Sequence, residues 1–333
     1  MRKIILDQIF NDILKEIGKN ILQEKLSKNQ PENINDLFQI FNTIKLGIEN
    51  KEKRFGLLGY IFYNFISSNE ARKRKVTARN VEDLLSFFLG GDVQDEVSKS
   101  NPTVPKEIEE LDSLCKNEDW KISEDLAGNK REKDDIKICN YTISIKTLVG
   151  ETYGSNGQYI NKKGLNKELN IGSVSYRALF KGIINDEVLH KLSDRKGGLG
   201  SKVQLKNLFD EISCENKEFF ISRLMLYFNF LYNDDFLILL KENYRIRIIL
   251  FSGEDFRNGL KKAWDKGLDH FLTIFYRWEN NNLRIMWQPL LSYLDNYLEV
   301  ELPLYNVFNN FELDSFFNTI KEKTFNEIKN NLF

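Results

Sequence analysis

The sequence predicts an α+β fold: a helical N-terminal layer, a strand pair at the centre, and a C-terminal region of hairpin and helix. Three observations predict it. Apolar residues recur at helical spacing through residues 1–66, as in Ile9, Phe10, Ile13, Leu14 and Ile17, which gives each helix one apolar face. Asp134 to Glu151 reads Asp-Asp-Ile-Lys-Ile-Cys-Asn-Tyr-Thr-Ile-Ser-Ile-Lys-Thr-Leu-Val-Gly-Glu, two short strands around a tight turn. Phe271 to Trp278 and Leu283 to Trp287 flank Glu279-Asn280-Asn281-Asn282, a hairpin signal.

Along the chain, Pro31 and Asn33 interrupt the first helical pattern. Leu37, Phe38, Ile40, Phe41, Ile44 and Leu46 resume it, and Leu57 to Ile66 is apolar enough for a buried helix. Residues 71–80 form the densest basic patch, with Arg72, Lys73, Arg74 and Lys75 at its heart. Asn80 suits the N-cap of a helix over Val81 to Leu89, Glu82 and Asp83 suit its first turn, and Gly90-Gly91 ends it. Lys106 to Leu114 and Ile122 to Ala127 read as short helices. Gly150, Gly154, Gly157, Gly164 and Gly172 predict a long irregular segment over residues 150–172, the kind that more often serves function than mere connection. Ser193 to Lys202 is a second basic loop. Phe219 to Leu231 reads as helix, Arg245 to Phe251 as strand, Val300-Glu301-Leu302 as an edge strand before Pro303, and Phe308 onward as helix.

At 333 residues and 41% hydrophobic, the chain can bury the core of one large or two modest domains. No apolar run approaches the ~20 residues that cross a bilayer. Asp7 comes too early for a secretory signal, so the expected location is intracellular, in the cytoplasm. Cys115, Cys139 and Cys214 are widely spaced with no CxxC; disulfide scaffolds and zinc ribbons are not expected, and the cysteines are expected to be small buried apolar residues. A net charge of -1 with 29% charged residues leaves room for a basic face beside an acidic one.

The chemistry is expected in the strand pair. Side chains alternate along a strand, so Ile136 and Ile138 share one face, and Ile143 and Ile145 another. If those faces pack inward together, Asp135, Ser144 and Lys146 emerge side by side. Hydrolysing a phosphodiester needs a cation to neutralise developing charge and lower the pKa of a bound water. Mg²⁺ takes carboxylate oxygens, waters and substrate phosphate together. A lysine beside the attacking water stabilises or orients it. Asp and Lys on neighbouring strands thus make a minimal hydrolytic site, provided one more oxygen ligand arrives.

Asp135 followed by Ser144-Ile145-Lys146 on the next strand resembles the PD-(D/E)XK nuclease motif, and the chain resembles a type II restriction endonuclease. The resemblance is confined to about residues 120–150. It implies an α/β/α-like arrangement with the motif hairpin entering a mixed central sheet, Asp135 as a metal ligand and Lys146 as the catalytic lysine. Two residues depart from the pattern: Asp134 stands where Pro is common, and Ser144 stands at the position of the second acid. Some enzymes of the family carry Ser there and supply the carboxylate from elsewhere. Glu151, just past the second strand, is the first candidate, Glu124 the second and Glu168 the third. The implied organisation is a helical region over 1–115, a nuclease core with a recognition loop over 116–260, and a hairpin and helix region over 261–333.

The implied cofactor is Mg²⁺, and the implied partner is double-stranded DNA, bound by a homodimer because cutting both strands calls for two sites. Base readout is expected from the segment 150–176, through Asn161, Lys162, Lys163, Asn166 and Arg177. Phosphate contacts are expected from Arg72 to Lys75 and from Arg195 and Lys196. Other chemistries lack their residues. His190 and His270 are the only histidines and form no paired site, and there is no GxSxG, HExxH or P-loop. Two alternatives stand beside the restriction enzyme: a structure-specific repair nuclease of the same fold, and a non-enzymatic helical scaffold whose hairpin carries Asp–Lys cross-strand pairs on an ordinary solvent face.

Overall fold

The computed structural model describes residues 30–50, 59, 82, 85–86, 89–93, 106, 135–149, 152–153, 159–160, 168–173, 179–180, 182–185, 187, 202–231, 234–242, 245–279 and 282–303. Its elements in chain order are α1 (Ile34–Glu49), β1 (Asp92–Val93), β2 (Ile136–Ile138), β3 (Tyr141–Val149), β4 (Thr152–Tyr153), β5 (Tyr159–Ile160), β6 (Glu168–Ser173), α2 (Lys202–Glu211), α3 (Cys214–Leu231), β7 (Asp235–Glu242), β8 (Arg245–Phe251), α4 (Gly253–Asp265), α5 (Leu268–Ile274), β9 (Phe275–Glu279), β10 (Asn282–Met286), α6 (Trp287–Leu291) and β11 (Leu298–Pro303).

The fold is α+β around a six-stranded mixed sheet ordered β1-β2-β3-β7-β8-β11. All neighbours run antiparallel except β3 and β7, which are parallel. β7, flanked by β3 and β8, is an interior strand covered on both faces, and Phe236 to Leu240 are all buried. One face carries Phe236, Ile238, Leu240, Ile249 and Phe251, which join a core built with α2 to α6. Phe236 stacks on Phe251 with ring centroids 5.1 Å apart and meets Phe256 of α4 at 5.1 Å. On the other side, α1 packs against β8 and β11, burying Leu37, Ile40, Phe41 and Ile44 outside that core cluster. Helices therefore cover both faces of the sheet.

α1 begins where the sequence indicates: the Asn33 side chain accepts hydrogen bonds from the Asn35 and Asp36 amides, satisfying donors a helix start leaves open. Glu82, Leu85, Ser86 and Leu89 are helical, and Gly90 then takes φ +73, the left-handed stop that glycine permits. Ser252 caps α4, exchanging hydrogen bonds with Asp255 through both its side chain and that residue's amide.

Several elements differ from expectation. Phe271 to Ile274 are helical, so the hairpin strand begins only at Phe275. The glycine-rich segment contains the β4–β5 pair and β6, and β6 pairs with β10, which also pairs with β9 in a second, three-stranded sheet. Cys139 and Cys214 are exposed rather than buried. Cys139 shares the β2–β3 turn with Asn140 and adopts φ 53, which points its thiol outward to the Gln30 side chain at 3.0 Å. Phe236 to Leu240, the centre of the strand that organises the sheet, carries no alternating pattern because it is buried on both faces.

Candidate active site

The β2–β3 hairpin pairs Ile136 with Ile143, Lys137 with Thr142 and Ile138 with Tyr141. Directly opposite residues share a face, so Ile136, Ile138, Tyr141, Ile143 and Ile145 line one side, all of them buried. Continuing the register by one residue sets Asp135 opposite Ser144, and the Asp135 amide donates to the Ile143 carbonyl at 2.9 Å. Asp135, Ser144 and Lys146 thus share the other face, as the alternation of the two strands requires.

The carboxylate of Asp135 is held in place. Its Oδ2 accepts from the Ile145 amide at 2.6 Å and from the Ser144 hydroxyl at 3.4 Å. Neither bond uses Oδ1. Ser144 is fully buried, so it lies on the expected side without reaching solvent, and its hydroxyl orients the carboxylate. Lys146, diagonal to Asp135 across the strand pair, is half-buried. Asp135 is half-buried as well. β3 continues to Val149 and lies along β7, with Ser144 beside Phe236 and Lys146 beside Ile238. The site is therefore built on an interior strand whose neighbour is packed into the main core.

On this face Asp135 stands opposite the buried Ser144, and the exposed Lys137 stands opposite Thr142.

A second set of bonds ties the start of β3 to the start of β7. The Tyr141 hydroxyl donates to Asp235 Oδ2 at 2.7 Å, the Gly253 amide at the start of α4 donates to Asp235 Oδ1 at 3.1 Å, and the Thr142 hydroxyl donates to Asp234 Oδ1. Burial pushes the Asp235 carboxyl above its ordinary range, against the opposing pull of the Tyr141 and Gly253 donors. Burial first, and then the Asp235 charge, push the Tyr141 phenol far above its own. Burial lowers Arg257, one turn into α4, against the pull of Glu254 and Asp235.

A raised carboxyl reverses the usual linkage. The stability Asp235 contributes is fully present below the ordinary aspartate pKa and is lost as pH rises through its raised value. Relative to Asp235→Asn, which cannot titrate, the wild type is expected to gain melting temperature as pH is lowered from about 7 to about 4. Paired thermal melts check this; a difference that is constant or grows with pH contradicts it.

Glu151, Glu124, Arg72, Lys73, Arg74, Lys75, Asn161, Lys162, Lys163, Asn166, Arg177, Arg195, Lys196 and His190 lie outside the described residues. Glu168 opens β6 and stands opposite Met286 in the three-stranded sheet. His270 is exposed, with Nδ1 2.9 Å from the Tyr293 hydroxyl. Among the described residues no three His, Cys, Asp or Glu side chains gather as a metal-binding group. Asp234 and Asp235 are the acids that the motif reading passed over. Their signal was available as an Asp-Asp pair opening an apolar run, the same pattern that places Asp134-Asp135 before Ile136.

No helix among the described residues is long and apolar enough to cross a membrane. No family model matches the chain, and no curated protein matches its sequence. A solved restriction endonuclease in complex with substrate DNA is similar to it at 11% identity and a TM-score of 0.35, over 85% of this chain and 99% of that one. A likeness that distant carries no argument about fold or activity, and the function has to be read from the site's own geometry.

Proposed function

We propose that this chain is a Mg²⁺-dependent endonuclease that hydrolyses phosphodiester bonds of double-stranded DNA, a type II restriction endonuclease of the PD-(D/E)XK superfamily with serine at the second-acid position. The observation that carries the reading is a carboxylate anchored by the Ile145 amide and the Ser144 hydroxyl, with Lys146 on the same face two residues further along the strand. The entry of this hairpin into a mixed sheet, beside a parallel interior strand, fits the architecture the motif implies.

Mg²⁺ is typically held by one or two carboxylates together with waters and substrate phosphates. The described residues meet the lower requirement through Asp135, which would hold the ion by Oδ1, the oxygen that neither hydrogen bond uses. The bound ion would supply charge neutralisation at the scissile phosphate and a water of lowered pKa. Ser144 keeps the carboxylate from rotating away, and the Ile145 amide fixes which oxygen faces inward. Lys146 would orient the attacking water and stabilise its hydroxide form. Glu151, Glu124 and Glu168 remain the proposed sources of a second carboxylate. A symmetric dimer would present two such sites to the two strands, and the segment 150–176 would read bases while the basic loops grip phosphates.

Incubation of the purified chain with plasmid DNA tests this. The expected result is discrete linear fragments with Mg²⁺ and intact plasmid with EDTA. Nicks that follow DNA structure rather than sequence would assign the site to a repair nuclease of the same fold. Intact DNA across many substrates and divalent metals would leave a non-enzymatic scaffold.

A further inference from the structure

The strand that supports the site cannot by itself choose the register of its neighbour. β7 is buried on both faces from Phe236 to Leu240, so it offers no apolar–polar alternation against which β3 could be aligned. β3 does alternate, with Ile143 and Ile145 on one side and Ser144 and Lys146 on the other. A slip of one residue against β7 would send Ser144 and Lys146 to the wrong face. A slip of two would keep the face and move Lys146 about 7 Å along the sheet.

Consecutive residues at the start of β3 meet consecutive residues at the start of β7. Tyr141 bonds Asp235 at 2.7 Å, and Thr142 bonds Asp234. Because neighbouring side chains on a strand point to opposite faces, the two bonds grip the strand pair from both sides. Asp235 in turn receives the first amide of α4 at 3.1 Å, so the grip extends into that helix. Asp234 is buried at 9% exposure and Asp235 is half-buried, which makes a displacement that leaves them without donors costly. Either slip breaks both bonds together.

We propose that Tyr141, Thr142, Asp234 and Asp235 form a register clamp, and that they are positioning residues for the site: they fix the Asp135–Lys146 hairpin along β7 so that Lys146 stands beside Ile238 and nowhere else. The positioning role rests on reading Asp135 and Lys146 as the reacting groups, whereas the clamp itself does not.

Backbone hydrogen exchange of the full-length chain tests the clamp without reference to activity. In Tyr141→Phe/Thr142→Val, amides of residues 143–147 are expected to exchange at least about tenfold faster than in the wild type, the equivalent of two net hydrogen bonds. Amides of Ile248 to Leu250, on the far side of β7, should hold their wild-type protection. Thr142→Ser keeps the hydroxyl and should retain wild-type exchange throughout. A folded double variant with wild-type protection across residues 143–147 overturns the proposal. Should the double variant fail to fold, the single variants decide: exchange raised on β3 alone supports the clamp, and exchange raised equally on β3 and β8 overturns it. Cleavage of plasmid by the same proteins, well below their melting temperatures, separates the two readings. A lowered turnover restored in Thr142→Ser supports the positioning role. Selective β3 exchange in a chain that never cuts DNA sinks the nuclease reading and leaves the clamp. Unchanged turnover in the folded double variant overturns the positioning role and leaves the nuclease.

Discussion

Replacing Lys146 with alanine is expected to lower Mg²⁺-dependent cleavage of duplex DNA by roughly 10²–10⁴-fold, the range over which a positioned acid–base group acts. The melting temperature should stay close to that of the wild type. Lys146 is half-buried on β3, and its loss leaves the Asp135 bonds to Ser144 and Ile145 and the core beneath untouched. The loss should fall on turnover more than on DNA affinity, because phosphate contacts elsewhere govern affinity. Lys146→Arg is not expected to restore the rate. Guanidinium is a planar fork that stays charged, and ammonium is a compact point charge on a flexible stem. Single-turnover rates beside thermal melts check this, and a variant that retains wild-type turnover removes Lys146 from the chemistry.

The largest effect on stability is expected at Phe236. It is 1% exposed, stacks on Phe251 at 5.1 Å, meets Phe256 at 5.1 Å, and stands beside Ser144 across the parallel pair. Phe236→Ala removes a ring that both holds α4 on the sheet and backs the site, and it should cost about 3–5 kcal/mol, the range for phenylalanine truncated in a core. Close packing around it leaves little room for collapse. Urea unfolding should show a lower midpoint at an unchanged slope. A cost under about 1 kcal/mol would mean that β7 is not the packed centre of the molecule.

Much of this site was legible from residue order alone. Alternation of Ile136, Ile138, Ile143 and Ile145 indicates which side chains share a face: Asp135 bonds Ser144, and the strand register puts Lys146 on the same face. The break at Pro31 and Asn33, Gly90 as a stop, the Arg245 to Phe251 strand and the edge strand before Pro303 were visible for similarly local reasons. What escaped the sequence was non-local. Phe236 to Leu240 is a run of five apolar residues, and periodicity cannot separate a strand buried on both faces from a piece of buried helix. Missing that strand hid the partners of Tyr141 and Thr142, because Asp234 and Asp235 lie more than ninety residues downstream. The α4 start at Ser252-Gly253-Glu254-Asp255 did carry a capping signal. Ser144 illustrates the other limit: its face followed from alternation, but its burial depended on β7 closing beside it.

The measurement that tests the central claim most directly is cleavage of one duplex DNA by the wild type and by Lys146→Ala, matched for folded protein, with Mg²⁺ and with EDTA. Cleavage confined to the wild type in Mg²⁺ is the predicted result. Equal cutting by both proteins, or cutting that survives EDTA, would contradict a metal-dependent site built on Asp135 and Lys146.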